Sequence, residues 1–358
     1  MANALQRAAN EARRGVLTEQ RTRELLSEIL VSVTGEELQT FSIAQWLQHF
    51  VRQKAKSRAD KTALRHEQMT REFLEFLGPR ARLNIAAISA KDVAAFRDYR
   101  QSLGLSAATL NLDITVLSAA FNSALRQGHI LTNPCLAIEP LREKAKRKDV
   151  FSIEQVRALL TALDTMEFAA HRGGKLDKES VAALRRDWRG VIMTSFYVGC
   201  RLGDAVSLRW RNIDLVSEIP TVRFEQGKTG REIVSVVHTA LQDWLLTLPT
   251  PASDDDFIFP TLAGRKVSPL SKAFGKILRH ANIEQRVIRH GGDGSGRNVH
   301  SLSFHSLRHS FVSLLAAQGV AEEVRMKLTG HVTREQAQHY THHQLEALQT
   351  AVALLPKL

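Results

Sequence analysis

The sequence predicts a mainly α-helical protein of two domains that also carries one small antiparallel β-hairpin. Three observations predict this fold class. The chain has 358 residues, which is more than one ordinary hydrophobic core supports. Apolar residues recur at helical spacing along most of the chain. Only residues 222–237 show two β-rich runs around a polar turn, the pattern of a β-hairpin.

The composition is that of a folded globular protein with an excess of basic residues. Hydrophobic residues make up 44% of the chain and charged residues 24%, unlike disordered or fibrous proteins. The net charge of +12 favours a polyanionic partner such as nucleic acid. No apolar stretch has the length of a membrane-spanning helix, and two cysteines, Cys135 and Cys200, cannot form a disulfide framework. We therefore expect a soluble protein in a reducing compartment, without a membrane partner.

Residues 41–130 are predicted to form a helical domain, preceded by a helical arm. The arm, residues 1–40, reads as one charged helix ending near Gly35 and has too few large apolar residues for a domain of its own. In the domain, apolar residues over 69–77 lie at helical spacing before a Gly-Pro stop signal, and Ser89 begins another helix with a capping box. This pattern is typical of a compact helical domain.

Residues 131–150 are predicted to be an interdomain linker, because they contain two prolines and a basic run that cannot bury apolar surface. The basic residues are Arg142, Lys144, Lys146, Arg147 and Lys148. They form either a solvated connector or a strap along a phosphate backbone. Ser152 begins the second domain, residues 151–345, with a second capping box, and a tail over 346–358 follows.

Two motifs of the second domain carry cations suited to binding a phosphate. Arg201 follows an apolar helical run, and Asp204 lies three residues later, within its reach on a helix. A guanidinium is always charged and binds two phosphate oxygens through parallel hydrogen bonds. Lys228 lies at the hairpin tip in a Gly-Lys-Thr-Gly turn, without the strand-to-helix context of a nucleotide-binding loop. An ordinary ion pair and an ordinary turn are the structural alternatives.

Two further motifs combine histidines, an arginine and a tyrosine. His305, Arg308 and His309 lie on one predicted helix, where His305 and Arg308 share a face. His331 follows a helix-breaking glycine, and Tyr340 comes nine residues later among polar and basic neighbours. The chain's other two tyrosines, Tyr99 and Tyr197, lie in apolar patterns and are predicted to be core residues.

The histidines also raise the possibility of a zinc site, because His305 and His309 lie four residues apart. Further ligands could come from His331, His339, His342 and His343. However, the HExxH glutamate is missing, and Arg308 on the same turn would repel a dication. We therefore expect no metal.

Taken in order, these motifs resemble those of the tyrosine recombinase family, also called the phage integrase family. GCRLGDAVSL is similar to its first arginine box, GKTG to its hairpin lysine, and HSLRHS to its histidine-arginine box. LTGHVTREQAQHYTH is similar to its glycine-histidine pair followed by the nucleophile. The resemblance covers residues 151–345 closely and residues 41–130 more loosely. Asp204 stands where many members have glutamate.

The resemblance implies a two-domain DNA clamp, with a helical, SAM-like core-binding domain and a mixed α/β catalytic domain. It implies that Tyr340 attacks a DNA phosphodiester and forms a 3′-phosphotyrosyl enzyme, without ATP, metal or other cofactor. Arg201, Arg308 and His331 would bind the nonbridging oxygens, Lys228 would protonate the leaving oxygen, and His305 would exchange the tyrosine proton. Asp204 would orient Arg201, and His309 would brace Arg201 and Asp204.

The expected partner is a double-stranded DNA recombination site, bound by a homo-tetramer. The free protein is expected to be a monomer or a weak oligomer. The expected location is the bacterial cytoplasm, in association with the nucleoid. A type IB topoisomerase and a DNA-binding protein that has lost catalysis are the alternatives. The DNA sequence, the biological role, and whether the C-terminal tail docks on its own domain or on a neighbouring protomer stay open.

Overall fold

The computed structural model describes residues 2–35, 40–57, 60–142, 149–168, 174, 176–227, 230–289, 298–329 and 342–358. These residues are mainly helical and form two compact units, one ending at Arg142 and one beginning at Asp149. The predicted fold class, mainly α with a small antiparallel sheet, is confirmed. Among the helices described, none combines the length and apolar character needed to cross a membrane.

The regular elements of the first unit are helices in its described residues, and one isolated antiparallel bridge joins Ser42 to Asn84. Its α-helices are α1 (Ala2–Arg13), α2 (Glu19–Thr34), α3 (Ile43–Ser57), α4 (Asp60–Leu77), α5 (Ala90–Ser102) and α6 (Ala107–Arg126). Short 3-10 helices cover Gly78–Arg82, Ile85–Ala87 and Pro134–Ala137. The α4 helix ends just before Gly78, and Ser89 makes its predicted capping box at the start of α5.

An aromatic core holds this unit together. Phe73 makes edge-to-face contacts with Phe96 and Phe121, at centroid distances of 5.0 and 6.5 Å. Trp46 is buried, and its indole nitrogen donates to the Ala120 carbonyl at 3.0 Å. Burying large aromatic side chains contributes most of the stability that a core of this size can supply.

Three details of the first unit differ from expectation. The arm is two helices rather than one, because Gly15 adopts a left-handed conformation (φ 68°) and Thr18 caps the start of α2. Residues 131–138, assigned above to the linker, include a 3-10 helix whose Cys135 is buried in the core. Tyr99, expected in the core, is 47% exposed and stacks on Phe76.

The second unit combines eight described α-helices with a three-stranded sheet and a separate two-stranded sheet. The helices are α7 (Ile153–Thr165), α8 (Lys178–Val198), α9 (Leu202–Val206), α10 (Thr239–Leu246), α11 (Val267–His280), α12 (Phe304–Ala317), α13 (Glu322–Thr329) and α14 (His342–Ala353). The strands are β1 (Ile213–Asp214), β2 (Thr221–Gln226), β3 (Arg231–Val236), β4 (Val287–Arg289) and β5 (Val299–His300). Helix α8 is buried along most of its length, and helices α7, α10 and α12 pack around it.

The predicted hairpin is formed by β2 and β3, which pair antiparallel with Thr221 opposite Val236 and Gln226 opposite Arg231. The two-residue strand β1 adds to its edge, giving the order β1-β2-β3. Strands β4 and β5 form the second sheet. Neither β1 nor this second sheet was predicted, because runs of two or three residues show no readable alternation.

The C-terminal tail packs on its own domain. Leu348, Val352 and Leu355 are buried in the core of the second unit, and helix α14 lies against strand β3. Tyr197 donates its hydroxyl hydrogen to the Pro356 carbonyl at 3.0 Å and accepts a hydrogen bond from the Leu358 amide at 3.1 Å. The structure therefore shows the tail docked in cis.

His238 supports the same segment. Its Nδ1 accepts a hydrogen bond from the Ala240 amide at 3.1 Å, and its Nε2 lies 3.1 Å from the Leu355 carbonyl, which can only accept. The ring is therefore neutral with its hydrogen on Nε2, and it stacks on Tyr197 at a centroid distance of 4.4 Å. Burial lowers the pKa of His238 below its ordinary value.

This arrangement predicts a pH-dependent part of the stability. Below a pH of about 6.5 the unfolded chain binds a proton that folded His238 resists, so stability falls as the pH drops toward the folded pKa. His238→Asn keeps a helix-capping side chain but cannot titrate. Thermal unfolding from pH 7.5 to 5 should show a lower Tm at neutral pH but a shallower decline on acidification than in the wild type. Parallel curves for the two proteins would contradict this role of His238.

Candidate active site

Three segments that are far apart in the sequence of the second unit line one cavity of about 600 Å³. Arg201 comes from the start of α9, His305, Arg308 and His309 come from α12, and Thr329 ends α13. The remaining lining residues are Val312, Ser313, Glu322, Arg325 and Met326. The structure thus brings together Arg201, His305, Arg308 and His309, which the sequence placed in two separate motifs.

Arg308 is the buried centre of this cavity. Its side chain projects from α12 and is 3% exposed as a residue. One terminal nitrogen donates to the Gly199 carbonyl and the other to the Thr329 carbonyl, both at 2.6 Å. Gly199 caps the C-terminus of α8 and Thr329 ends α13, so the guanidinium satisfies carbonyls at two helix ends, where the helix dipole is negative.

Burial and a neighbouring cation both act against the charge of the Arg308 guanidinium. Burial, together with the nearby Arg201 guanidinium, lowers the pKa of Arg308 to about 10, so it stays protonated at neutral pH. Burial raises the pKa of the Cys200 thiol to about 12, which keeps that thiol neutral. The cavity is therefore suited to binding an anion.

Arg201 and Asp204 form the predicted ion pair, but loosely. The Arg201 Nη1 and Asp204 Oδ2 atoms are 3.8 Å apart, too far for a hydrogen bond. Within the described part of the chain, neither of these two buried atoms has a hydrogen-bond partner. Among the described residues at this site, the guanidinium groups of Arg201, Arg308 and Arg325 outnumber the carboxylates of Asp204 and Glu322. A phosphate would supply the missing negative charge and acceptors.

Asp204 has a second contact that the sequence did not suggest. Its Oδ1 accepts a hydrogen bond from the Gly227 amide at 3.1 Å. Gly227 follows strand β2 and directly precedes Lys228 in the sequence. Asp204 therefore ties the start of α9 to the start of the hairpin turn.

Gln226 is a further residue that sequence analysis missed. It is buried at the end of β2, and its Nε2 donates to the Thr329 carbonyl at 3.2 Å, the same oxygen that Arg308 contacts. The one available signal was its place beside the Gly-Lys-Thr-Gly turn. Nothing in the sequence indicates that a residue 103 positions later is its partner.

His305 and His309 both line the cavity, and their rings meet edge to face at a centroid distance of 4.7 Å. Support of Arg201 and Asp204 by His309 stays a prediction. No group of three or more metal-ligating side chains occurs among the described residues.

Several predicted site residues lie outside the described residues. These are Lys144, Lys146, Arg147, Lys148, Lys228, His331 and Tyr340. Arg142 is described and is exposed at the end of the first unit.

Solved structures with a similar fold are integrases. The chain resembles a lambda integrase dimer bound to a COC′ core site, with a TM-score of 0.60 and 18% identity, covering 84% of this chain and 94% of that one. It also resembles the Tn1549 transposon integrase in complex with a circular intermediate DNA, with a TM-score of 0.57 and 16% identity, covering 86% and 98% of the two chains. The fold is thus that of the integrases.

The family is shown by sequence. The Phage integrase family model matches residues 150–346, and the Phage integrase SAM-like domain model matches residues 42–139. The chain therefore belongs to the phage integrase family, as its motifs predicted, and is a site-specific tyrosine recombinase.

Relatives include tyrosine recombinase XerC of Alcanivorax borkumensis, 28% identical over 243 residues, which cover 67% of this chain and 70% of XerC. Tyrosine recombinase XerD of Rickettsia conorii is 23% identical over 324 residues, which cover 88% of this chain and 98% of XerD.

The anchoring of Arg308 predicts that Gly199→Ala impairs the site. Gly199 has a φ of 68°, and an added Cβ would lie 2.6 Å from Phe311 Cδ1, so either the buried Phe311 ring or the Gly199 backbone, whose carbonyl holds Arg308, would have to move. Gly264→Ala is a matched control, because Gly264 also has a left-handed φ (70°) but open space around the added atom. Both variants should carry a backbone cost of about 1–2 kcal/mol.

Gly199→Ala should lower both Tm and the rate of DNA strand cleavage more than Gly264→Ala does. The measurements are thermal unfolding and single-turnover cleavage. Equal cleavage rates for the two variants would show that the Gly199 backbone does not position Arg308.

Proposed function

We propose that this recombinase cuts and rejoins duplex DNA with Tyr340 as its nucleophile. The tyrosine oxygen attacks a phosphorus, which gives a 3′-phosphotyrosyl link and a free 5′-hydroxyl. A 5′-hydroxyl from a second strand then attacks this link, releases the tyrosine and reseals the DNA. The observation that carries the proposal is the cavity that Arg201, Arg308 and His305 line together, where cations outnumber carboxylates among the described residues.

Arg201 and Arg308 would stabilise the charge that builds on the nonbridging oxygens in the transition state, together with His331. The hydrogen bonds of Arg308 to the Gly199 and Thr329 carbonyls hold its guanidinium at the cavity. Donors fixed in place before the reaction are worth roughly 3 to 4 kcal/mol each, by analogy with an oxyanion hole. The existing hydrogen bonds of Arg308 provide this fixing.

Lys228 would protonate the leaving 5′ oxygen, and His305 would take the tyrosine proton and later return it. The hydrogen bond from the Gly227 amide to Asp204 supports this role, because Gly227 is the residue directly before Lys228 in the sequence. His305 is exposed in the cavity, where a substrate could reach its ring. His309, whose ring contacts that of His305, would brace Arg201 and Asp204.

This chemistry would need neither ATP nor a divalent metal. The phosphotyrosyl link conserves the energy of the broken phosphodiester, and the guanidinium and ammonium groups of the chain neutralise the phosphate that a metal would otherwise neutralise.

The two units would hold a DNA duplex, with the basic segment that contains Arg142 and Lys144 near the backbone. The net charge of +12 supports a large electrostatic contribution and a strong dependence on salt. A similar lambda integrase is described as a tetramer bound to a Holliday junction, which supports tetrameric assembly of this chain on DNA. Its substrate would place the protein with cellular DNA, in the cytoplasm.

Covalent trapping tests the nucleophile. A DNA site nicked close to the cleavage point loses a short strand after attack, so the phosphotyrosyl link cannot be reversed. The wild type should form a denaturant-resistant protein–DNA adduct in the presence of EDTA, and Tyr340→Phe should form none while still shifting the DNA in a gel. Tyr99→Phe is the matched control, because Tyr99 is a half-exposed tyrosine of the first unit.

Trapping by Tyr340→Phe at the wild-type level would refute the assignment of the nucleophile. Loss of trapping on addition of EDTA alone would refute the metal-independent mechanism.

A further inference from the structure

Gln226 joins the hairpin turn to the end of helix α13. Its backbone carbonyl accepts a hydrogen bond from the Gly230 amide at 2.8 Å, which closes the turn. Its side chain acts as a donor, with Nε2 donating to the Thr329 carbonyl at 3.2 Å. Gln226 is 1% exposed, so this hydrogen bond is shielded from water, and a polar group without a partner is costly there.

The Thr329 carbonyl is a shared acceptor. Arg308 donates to it at 2.6 Å and Gln226 at 3.2 Å, so one oxygen contacts both the buried cation and the hairpin. Thr329 is itself buried, and its hydroxyl donates to the Arg325 carbonyl one helical turn earlier. The end of α13 is therefore fixed on several sides.

The turn is thus tied to the cavity at two points. Asp204 binds the Gly227 amide from the α9 side, and Gln226 binds Thr329 on the α13 side. Gln226 and Gly227 are the two residues directly before Lys228 in the sequence. Removing the Gln226 contact would leave one of these two ties, the contact of Gly227 with Asp204.

We propose that Gln226 is a positioning residue for strand cleavage, whose amide holds the Lys228 turn at a fixed place relative to Arg308. The inference rests on the proposed role of Lys228 as the acid. In that step the bond from the Tyr340 oxygen to phosphorus forms while the bond from phosphorus to the 5′ oxygen breaks. The tyrosine proton passes to His305, and Lys228 gives a proton to the leaving 5′ oxygen.

This role can be separated from a merely structural one by changing the leaving group. When sulfur replaces the bridging 5′ oxygen, the leaving group is a thiolate, which needs no proton because a thiol is far more acidic than an alcohol. A variant that misplaces Lys228 should therefore recover on the sulfur substrate. A variant that disturbs Arg308 or the general packing should stay slow on both substrates.

The experiment uses the full chain and measures single-turnover cleavage of matched oxygen and sulfur substrates by Gln226→Met, which keeps the side-chain volume but cannot donate. The control is Gln242→Met, because the Gln242 amide also donates to a backbone carbonyl, that of Leu215 at 3.1 Å, but belongs to α10 and does not line the cavity. Lys228→Ala is measured in parallel. Thermal unfolding and gel shifts verify folding and DNA binding, and Gln226→Asn replaces Gln226→Met if the latter is unfolded.

We expect Gln226→Met to cleave the oxygen substrate about 10- to 100-fold more slowly than Gln242→Met does. On the sulfur substrate, the two variants should cleave at similar rates. If Lys228→Ala recovers on sulfur but Gln226→Met does not, or if Gln226→Met is not slowed on oxygen, the inference about Gln226 is wrong and the proposed acid stands. If Lys228→Ala does not recover on sulfur, the proposed role of Lys228 fails, and the inference fails with it.

Discussion

The buried guanidinium of Arg308 is the group on which the rest of the candidate active site depends. It holds the carbonyls of Gly199 and Thr329, and thereby joins the ends of α8 and α13 to α12. A buried cation is costly unless it is hydrogen-bonded and neutralised. The two carbonyls supply hydrogen bonds but no net charge, and Arg201 nearby adds a second cation. Asp204 compensates part of this charge, and an anion in the cavity would compensate more of it.

The other contacts of the site extend this arrangement to the hairpin. Asp204 is shared between Arg201 and the Gly227 amide, so the carboxylate that partly compensates one cation also fixes the backbone beside Lys228. Gln226 makes the complementary contact on the α13 side. Short hydrogen bonds between elements distant in sequence can place catalytic groups to within fractions of an ångström, which proximity catalysis requires.

Local signals in the sequence predicted much of the fold and part of the site. The capping boxes at Ser89 and Ser152 and the hairpin depend on neighbours a few residues apart, and all three form as predicted. Arg201 and Arg308 stood out because the order of the arginine, lysine, histidine and tyrosine motifs resembles that of the tyrosine recombinase family. The contact of Gln226 with Thr329 could not be predicted, because it joins residues 103 positions apart and leaves no local pattern. Tyr99 was predicted to be buried but is half-exposed. The apolar pattern of a helix does not show how much of each residue at the edge of its apolar face is covered by neighbouring elements.

The distance from Arg308 to the scissile phosphate tests this account most directly. It can be measured in a structure of the protein trapped covalently on its DNA site. The account predicts a nonbridging oxygen at about 2.7–3.1 Å from a terminal nitrogen of Arg308, with a second contact to Arg201. A phosphate bonded to Tyr340 but out of hydrogen-bonding reach of both guanidinium groups would contradict it.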